Sequence, residues 1–256
     1  MIPIQLLNAV GVERTFNTIK DIELYHLALE NPENRRKIDL AIKEMSSPFY
    51  RFFSNYGTGI GETIEEVVGK KFTDFIPKEE PKVGKKGQRL KGTQKSKTYS
   101  DYNKKHNKKP SNYDWLALIK SQIKSIEVKV IRAAESKPNQ DEKLYEIPSL
   151  LEERALTFAE GIKSGNATFQ QTKAELFDYL LGVVVYADQV DFYLVPSSDI
   201  KSGKLKITNQ HAGAIKEDGS TGEGHLSVKD LNEYKILSVF SEEELLAKDS
   251  INKYIV

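Results

Sequence analysis

The chain has 256 residues, with 38 Lys or Arg against 37 Asp or Glu, no cysteine and a net charge of +1 at pH 7. This length can bury a sizeable core in one large domain, and the lack of cysteine excludes a disulfide framework and a thiolate metal centre. Residues 1–7 lack the blocks of a secretory signal, and the longest apolar run, 180–187, is too short to span a bilayer, so a cytoplasmic protein is expected.

In chain order, the first expected element is a helix over 34–54, with Ile38, Ile42 and Met45 in a stripe and a break at Pro48. A second helix is expected over 59–72, where Ile60, Ile64, Val67, Val68 and Phe72 form an apolar stripe. At about 100° per residue Glu65 borders that stripe, whereas Glu62 and Glu66 point away from it. Gly57, Gly59 and Gly61 precede the helix, but no Gly-Lys-Ser/Thr follows them, so a Walker-type phosphate loop is excluded.

Charge is concentrated in what comes next. Residues 81–110 hold eleven Lys or Arg and one acid, Asp101, a local charge of +10 that leaves −9 for the remainder. Such a segment cannot build a core alone, and it reads as a basic arm that tracks a nucleic-acid phosphate backbone. Lys85, Lys86, Arg89, Lys91, Lys104 and Lys105 are its expected DNA contacts, with Tyr99 and Tyr102 available to stack or hydrogen-bond there.

Residues 113–119 read as a buried strand, 120–122 as a hairpin connection, and 123–131 as a second strand. On that strand Ile123, Ser125, Glu127, Lys129 and Ile131 share one face, while Ile126, Val128 and Val130 share the other. Pairing the two strands brings Asp114 near Glu127. Two carboxylates from adjacent strands suit a hard cation such as Mg²⁺, and Lys129 is placed to hold an attacking water and offset charge on a phosphoryl group. The chemistry expected is metal-assisted phosphodiester hydrolysis. Other acid-x-Lys copies occur at 135–137, 141–143, 199–201 and 233–235, but only Glu127 joins a strong strand pattern to an upstream aspartate.

Further on, a helix is expected from Pro148 to near Gly165 on the face of Leu150, Leu151, Arg154, Ala155, Phe158 and Ile162, then strands over 180–186 and 190–195. His211 and Gln210 lie on a polar, glycine-flanked segment suited to reading base edges. A His-centred metal site is not expected, because His211 and His225 are far apart in sequence and lack a third such ligand. The order of elements predicts an α/β protein with a mixed central β-sheet flanked by helices. It divides into a mainly helical part (1–77), a basic arm (78–112), a catalytic core (113–200) and a C-terminal part (201–256), all in one domain.

Asp114 with Glu127-Val128-Lys129 resembles the PD-(D/E)xK nuclease superfamily, and within it a type II restriction endonuclease; Tyr113 stands where that family places proline. The resemblance spans roughly residues 57–200 and implies a restriction-endonuclease-like core acting on double-stranded DNA with Mg²⁺. It implies that Asp114 and Glu127 ligate the metal, that Glu65 on the preceding helix joins them, with Glu62 as a weaker candidate, and that a polar residue such as Gln171 approaches the site. It further implies a homodimer matched to a palindromic site. A DNA methyltransferase protecting the same site would accompany it. A repair or junction-resolving nuclease, and a non-catalytic nucleic-acid-binding protein, are the alternatives.

Overall fold

The computed structural model describes residues 30, 32, 47–49, 58–83, 89–134, 155–165, 167–209 and 224–255. Its centre is a five-stranded mixed sheet in the order β3-β4-β6-β7-β10. The strands are β3 (Trp115–Ile119), β4 (Gln122–Arg132), β6 (Tyr179–Val185), β7 (Val190–Pro196) and β10 (Lys235–Val239). β3 and β4 form a hairpin, β4 runs parallel to β6, and β6, β7 and β10 are successive antiparallel neighbours. Lys120 and Ser121 join β3 to β4 with φ of 46° and 63°, the left-handed pair that a tight two-residue hairpin requires.

Alternation along the strands divides the core in two. Ala117, Ile119, Ile126, Leu181, Val183, Phe192 and Leu194 face one layer, which α1 (Thr58–Lys71) and α5 (Glu242–Leu246) cover. α1 does so through Ile60, Ile64, Val67 and Val68, the stripe that its sequence spacing demands. Lys71, only 2% exposed, donates from Nζ to the carbonyls of Glu244 and Ala247 and so ties α1 to the C-terminal end of α5.

The opposite face, with Leu116, Leu180, Val184, Tyr193 and Val195, is covered by α2 (Lys97–His106) and α4 (Ser197–Lys201). A second, three-stranded sheet joins them in the order β5-β9-β8, from β5 (Thr168–Thr172), β8 (Thr208–Asn209) and β9 (Gly224–Ser227). α3 (Phe158–Ser164) is closed at its start by a reciprocal capping box between Thr157 and Glu160. Gly165 ends it in the left-handed conformation, φ 61°.

One expectation changes within the described residues. Of the helix expected from Pro148 to near Gly165, the part over 148–154 lies outside the described residues, and within them the helix starts at Phe158, because the Leu156 amide donates to the Ala133 carbonyl and Ala155 bridges Ala134. Ile162 is consequently 47% exposed and does not face the core. Within the described residues the basic arm forms a hairpin of β1 (Glu79–Val83) and β2 (Arg89–Lys95) followed by α2. Of the two tyrosines expected to stack or hydrogen-bond at DNA, Tyr102 is buried and Tyr99 half-buried, and both anchor the arm to the protein through their hydroxyls. The Tyr99 hydroxyl donates to the Ile76 carbonyl and accepts from the Leu116 amide, and the buried Tyr102 hydroxyl donates to Asp178 Oδ2 at 2.7 Å. The expected helix over 34–54 lies outside the described residues except for a turn at 47–49, where Ser47 Oγ donates to the Ala187 carbonyl.

Candidate active site

Asp114 immediately precedes β3, and two hydrogen bonds fix it. Its amide donates to the Ile126 carbonyl at 2.9 Å, and its Oδ2 accepts from the Val128 amide at 2.8 Å. Trp115 pairs with Ile126, so the antiparallel register continues to set Asp114 beside Glu127, on the same face. Lys129 is one pleat further along that face, with Nζ 3.1 Å from Glu127 Oε1.

The neighbouring strand supplies apolar walls. Leu180, fully buried, lies beside Glu127, and Gly182 lies beside Lys129. The Phe169 ring of β5 packs over Gly182 so closely that a Cβ there would come within 2.6 Å of the ring. The side chains of Glu127 and Lys129 retain only 19% and 27% exposure.

α1 delivers Glu65 to the same region. Of the three glutamates on that helix, Glu62 and Glu66 are exposed, and Glu65 is half-buried at the edge of the apolar stripe. Glu66 pairs instead with Lys70 one turn on. Glu65 Oε1 meets Lys78 Nζ at 2.7 Å, and that ammonium also lies 4.4 Å from the centroid of the Trp115 ring. Lys78 is a member of this cluster that sequence spacing did not single out; it stands just before β1 and reaches Glu65 only through the tertiary fold.

The three carboxylates feel one another. Burial raises the Asp114 carboxyl above the usual aspartate range, and the Glu65 charge adds to this; the Val128 amide and the charges of Lys78 and Lys129 oppose it. Burial also raises Glu127, reinforced by the charges of Asp114 and Glu65 and opposed by Lys129. Among the described residues no three His, Asp or Glu side chains gather tightly enough to enclose a metal ion. Two carboxylates are a sufficient protein share for Mg²⁺, which keeps most of its water, and a divalent cation would relieve the mutual repulsion that adds to burial in raising both groups. The oxygen donor set of Asp114 and Glu127, with Glu65 alongside, therefore fits a hard cation.

The other expected residues fall as follows. Gln171 is exposed on β5 in the left-handed conformation, φ 53°, where the pairing with β9 shifts register. Lys104 and Lys105 are exposed on α2, while Arg89 and Lys91 fall on β2. Lys85, Lys86, Gln210 and His211 lie outside the described residues.

The competing acid-x-Lys copies within the described residues serve other contacts. Asp199 accepts from the Tyr234 hydroxyl and Lys204, while Lys235 pairs with the fully buried Asp191.

Sequence reading also missed a polar hub beneath α2. Asp178 Oδ2 accepts from the Ser125 amide and hydroxyl and from Tyr102, and Lys108 Nζ donates to Ser125 Oγ at 2.8 Å. Burial pushes Asp178 up, but these hydrogen bonds outweigh it and leave its carboxyl below the usual range. A groove of about 630 Å³ between α2 and the β3–β4 turn, lined in part by Tyr102, Lys105, His106 and Lys124, does not include Asp114 or Glu127.

No helix among the described residues is long and apolar enough to cross a membrane. Compared with known proteins, the chain matches no family model, no curated protein and no solved structure.

Proposed function

We propose that this chain is a Mg²⁺-dependent endonuclease with a restriction-endonuclease-like core that hydrolyses double-stranded DNA, acting at a short specific site as a type II restriction enzyme. The observation that carries the reading is the pairing of Asp114, locked on the Val128 amide, with Glu127 across the β3–β4 hairpin and with Lys129 on the same face. Asp114 and Glu127 would hold the metal, with Glu65 approaching directly or through water. Bound there, Mg²⁺ would supply Lewis-acid polarisation of the phosphoryl oxygen and a more acidic water. Lys129 orients the attacking water and offsets the negative charge that develops at phosphorus. Leu180 and Phe169 limit water on the Glu127 and Lys129 side, which strengthens each of these charges. Lys104 and Lys105 on α2 add sequence-independent attraction to the backbone. Site-specific cutting brings with it a homodimer matched to a two-fold target and a methyltransferase that protects the same site.

One observation favours a non-catalytic nucleic-acid-binding protein instead: Glu65 and Glu127 each already have a lysine partner. Digestion of plasmid and phage DNA with Mg²⁺ separates the readings. Discrete bands support restriction, a preference for branched over linear duplex selects repair or junction resolution, and a gel shift with intact plasmid selects binding alone. Asp114→Ala and Lys129→Ala are expected to lower cleavage by at least about a hundredfold while DNA binding persists. Undiminished cutting by either variant sinks the nuclease assignment.

A further inference from the structure

We infer that Lys78 is a built-in counter-ion, one that occupies the carboxylate cluster in the cation-free protein and swings out when a divalent cation binds. This rests on reading Asp114, Glu127 and Glu65 as the carboxylates of a cation site.

Charge balance makes the first part of the case. Without Lys78, three partly or largely buried carboxylates would share the ammonium of Lys129, which is already seated on Glu127. Three like charges against one are costly at this degree of burial. Lys78 supplies the second positive charge, bonded to Glu65 at 2.7 Å and close enough to Asp114 to favour its ionised form.

The second part is mechanical. The Lys78 carbonyl accepts from the Ser96 amide at 2.9 Å, which pins the backbone at the foot of the β1–β2 hairpin. The side chain is 45% exposed, so the ammonium can leave by rotation of its own stem without disturbing the core. A divalent cation arriving at the same carboxylates brings twice the charge in less space, and the two cannot share Glu65 at contact distance without strong repulsion. The ammonium so released stands at the root of the basic hairpin, where a nucleic-acid phosphate would take it up; cation binding and substrate binding are then coupled through one side chain.

The chain carries its own reporter. Trp115 is the single tryptophan, and the Lys78 ammonium lies over its ring. Titrating the DNA-free protein with Mg²⁺ or Mn²⁺ is expected to give a saturable change in Trp115 emission as the ammonium leaves. In Lys78→Gln, calorimetry is expected to show cation affinity higher by about fivefold, the worth of a partly exposed ion pair, and most of the emission change is lost. Lys78→Arg, which keeps the charge, is expected to stay near the wild-type affinity, and Asp114→Asn to bind no cation. Wild-type cation binding with equal or weaker affinity in Lys78→Gln overturns the counter-ion role and leaves the carboxylate site standing. No cation uptake by wild type or either Lys78 variant overturns both.

Discussion

At Asp114 burial of a carboxylate works against stability. Its carboxylate is raised by burial and by the Glu65 charge, so the folded state holds the proton more tightly than the unfolded chain does. Glu127 is raised by burial and by the Asp114 charge. With both folded values above the unfolded ones, their contribution to stability is fully present below about pH 4 and is lost as pH rises through the raised values. The metal-free protein should therefore lose stability over that rise, and Asp114→Asn should recover about 1 kcal/mol at neutral pH, since the amide oxygen still accepts from the Val128 amide. Thermal unfolding of both proteins from pH 4 to pH 8 checks this. An asparagine variant less stable than wild type at pH 7 contradicts it. Mg²⁺ should restore the wild-type loss by binding the ionised form.

Among the elements, the approach of α1 to β3 determines where Glu65 sits. Gly69, one helical turn beyond Glu65, lies against Trp115 so closely that an added Cβ would stand 2.3 Å from the indole ring. Gly69→Ala brings two opposing effects. Alanine favours the helix by about 0.5–1 kcal/mol, and overpacking a rigid aromatic contact costs about 1–3 kcal/mol. The clash is larger, so the variant should be less stable in urea unfolding. It should also bind a divalent cation less tightly, because α1 must withdraw and carry Glu65 with it. A Gly69→Ala protein as stable as wild type would mean that the helix does not depend on this contact.

Across the whole molecule, charge is separated into a +10 stretch and a −9 remainder, yet the fold divides the lysines of that stretch by role. Lys104 and Lys105 are exposed on α2, whereas Lys108 turns inward to Ser125 and loses basicity to burial. Replacing both Lys104 and Lys105 with Ala should flatten the dependence of log Kobs on log salt by about 2 if each contacts one phosphate. Lys108→Ala should leave that slope alone and weaken the docking of α2. Equal slopes for the double variant and wild type would make α2 a solvated helix with no part in DNA binding.

The local pattern was readable where the physics is local. A strand has a period of two and a tight turn reverses it within two residues, so Asp114, Glu127 and Lys129 share a face whatever the rest of the chain does. The same periodicity placed Glu65, rather than Glu62, at the edge of the buried stripe of α1. Spacing is silent on what distant segments bring together. The parallel pairing of β4 with β6, the inward turn of Tyr102 onto Asp178, and the extended path of Leu156 beside Ala133 each depend on which backbone donors and acceptors are left over once the sheet forms. Lys78 is the clearest case: thirteen residues from Glu65, it is one lysine among many in sequence. Only tertiary packing seats its charge on Glu65 and over Trp115, because ion pairs are chosen by distance in space.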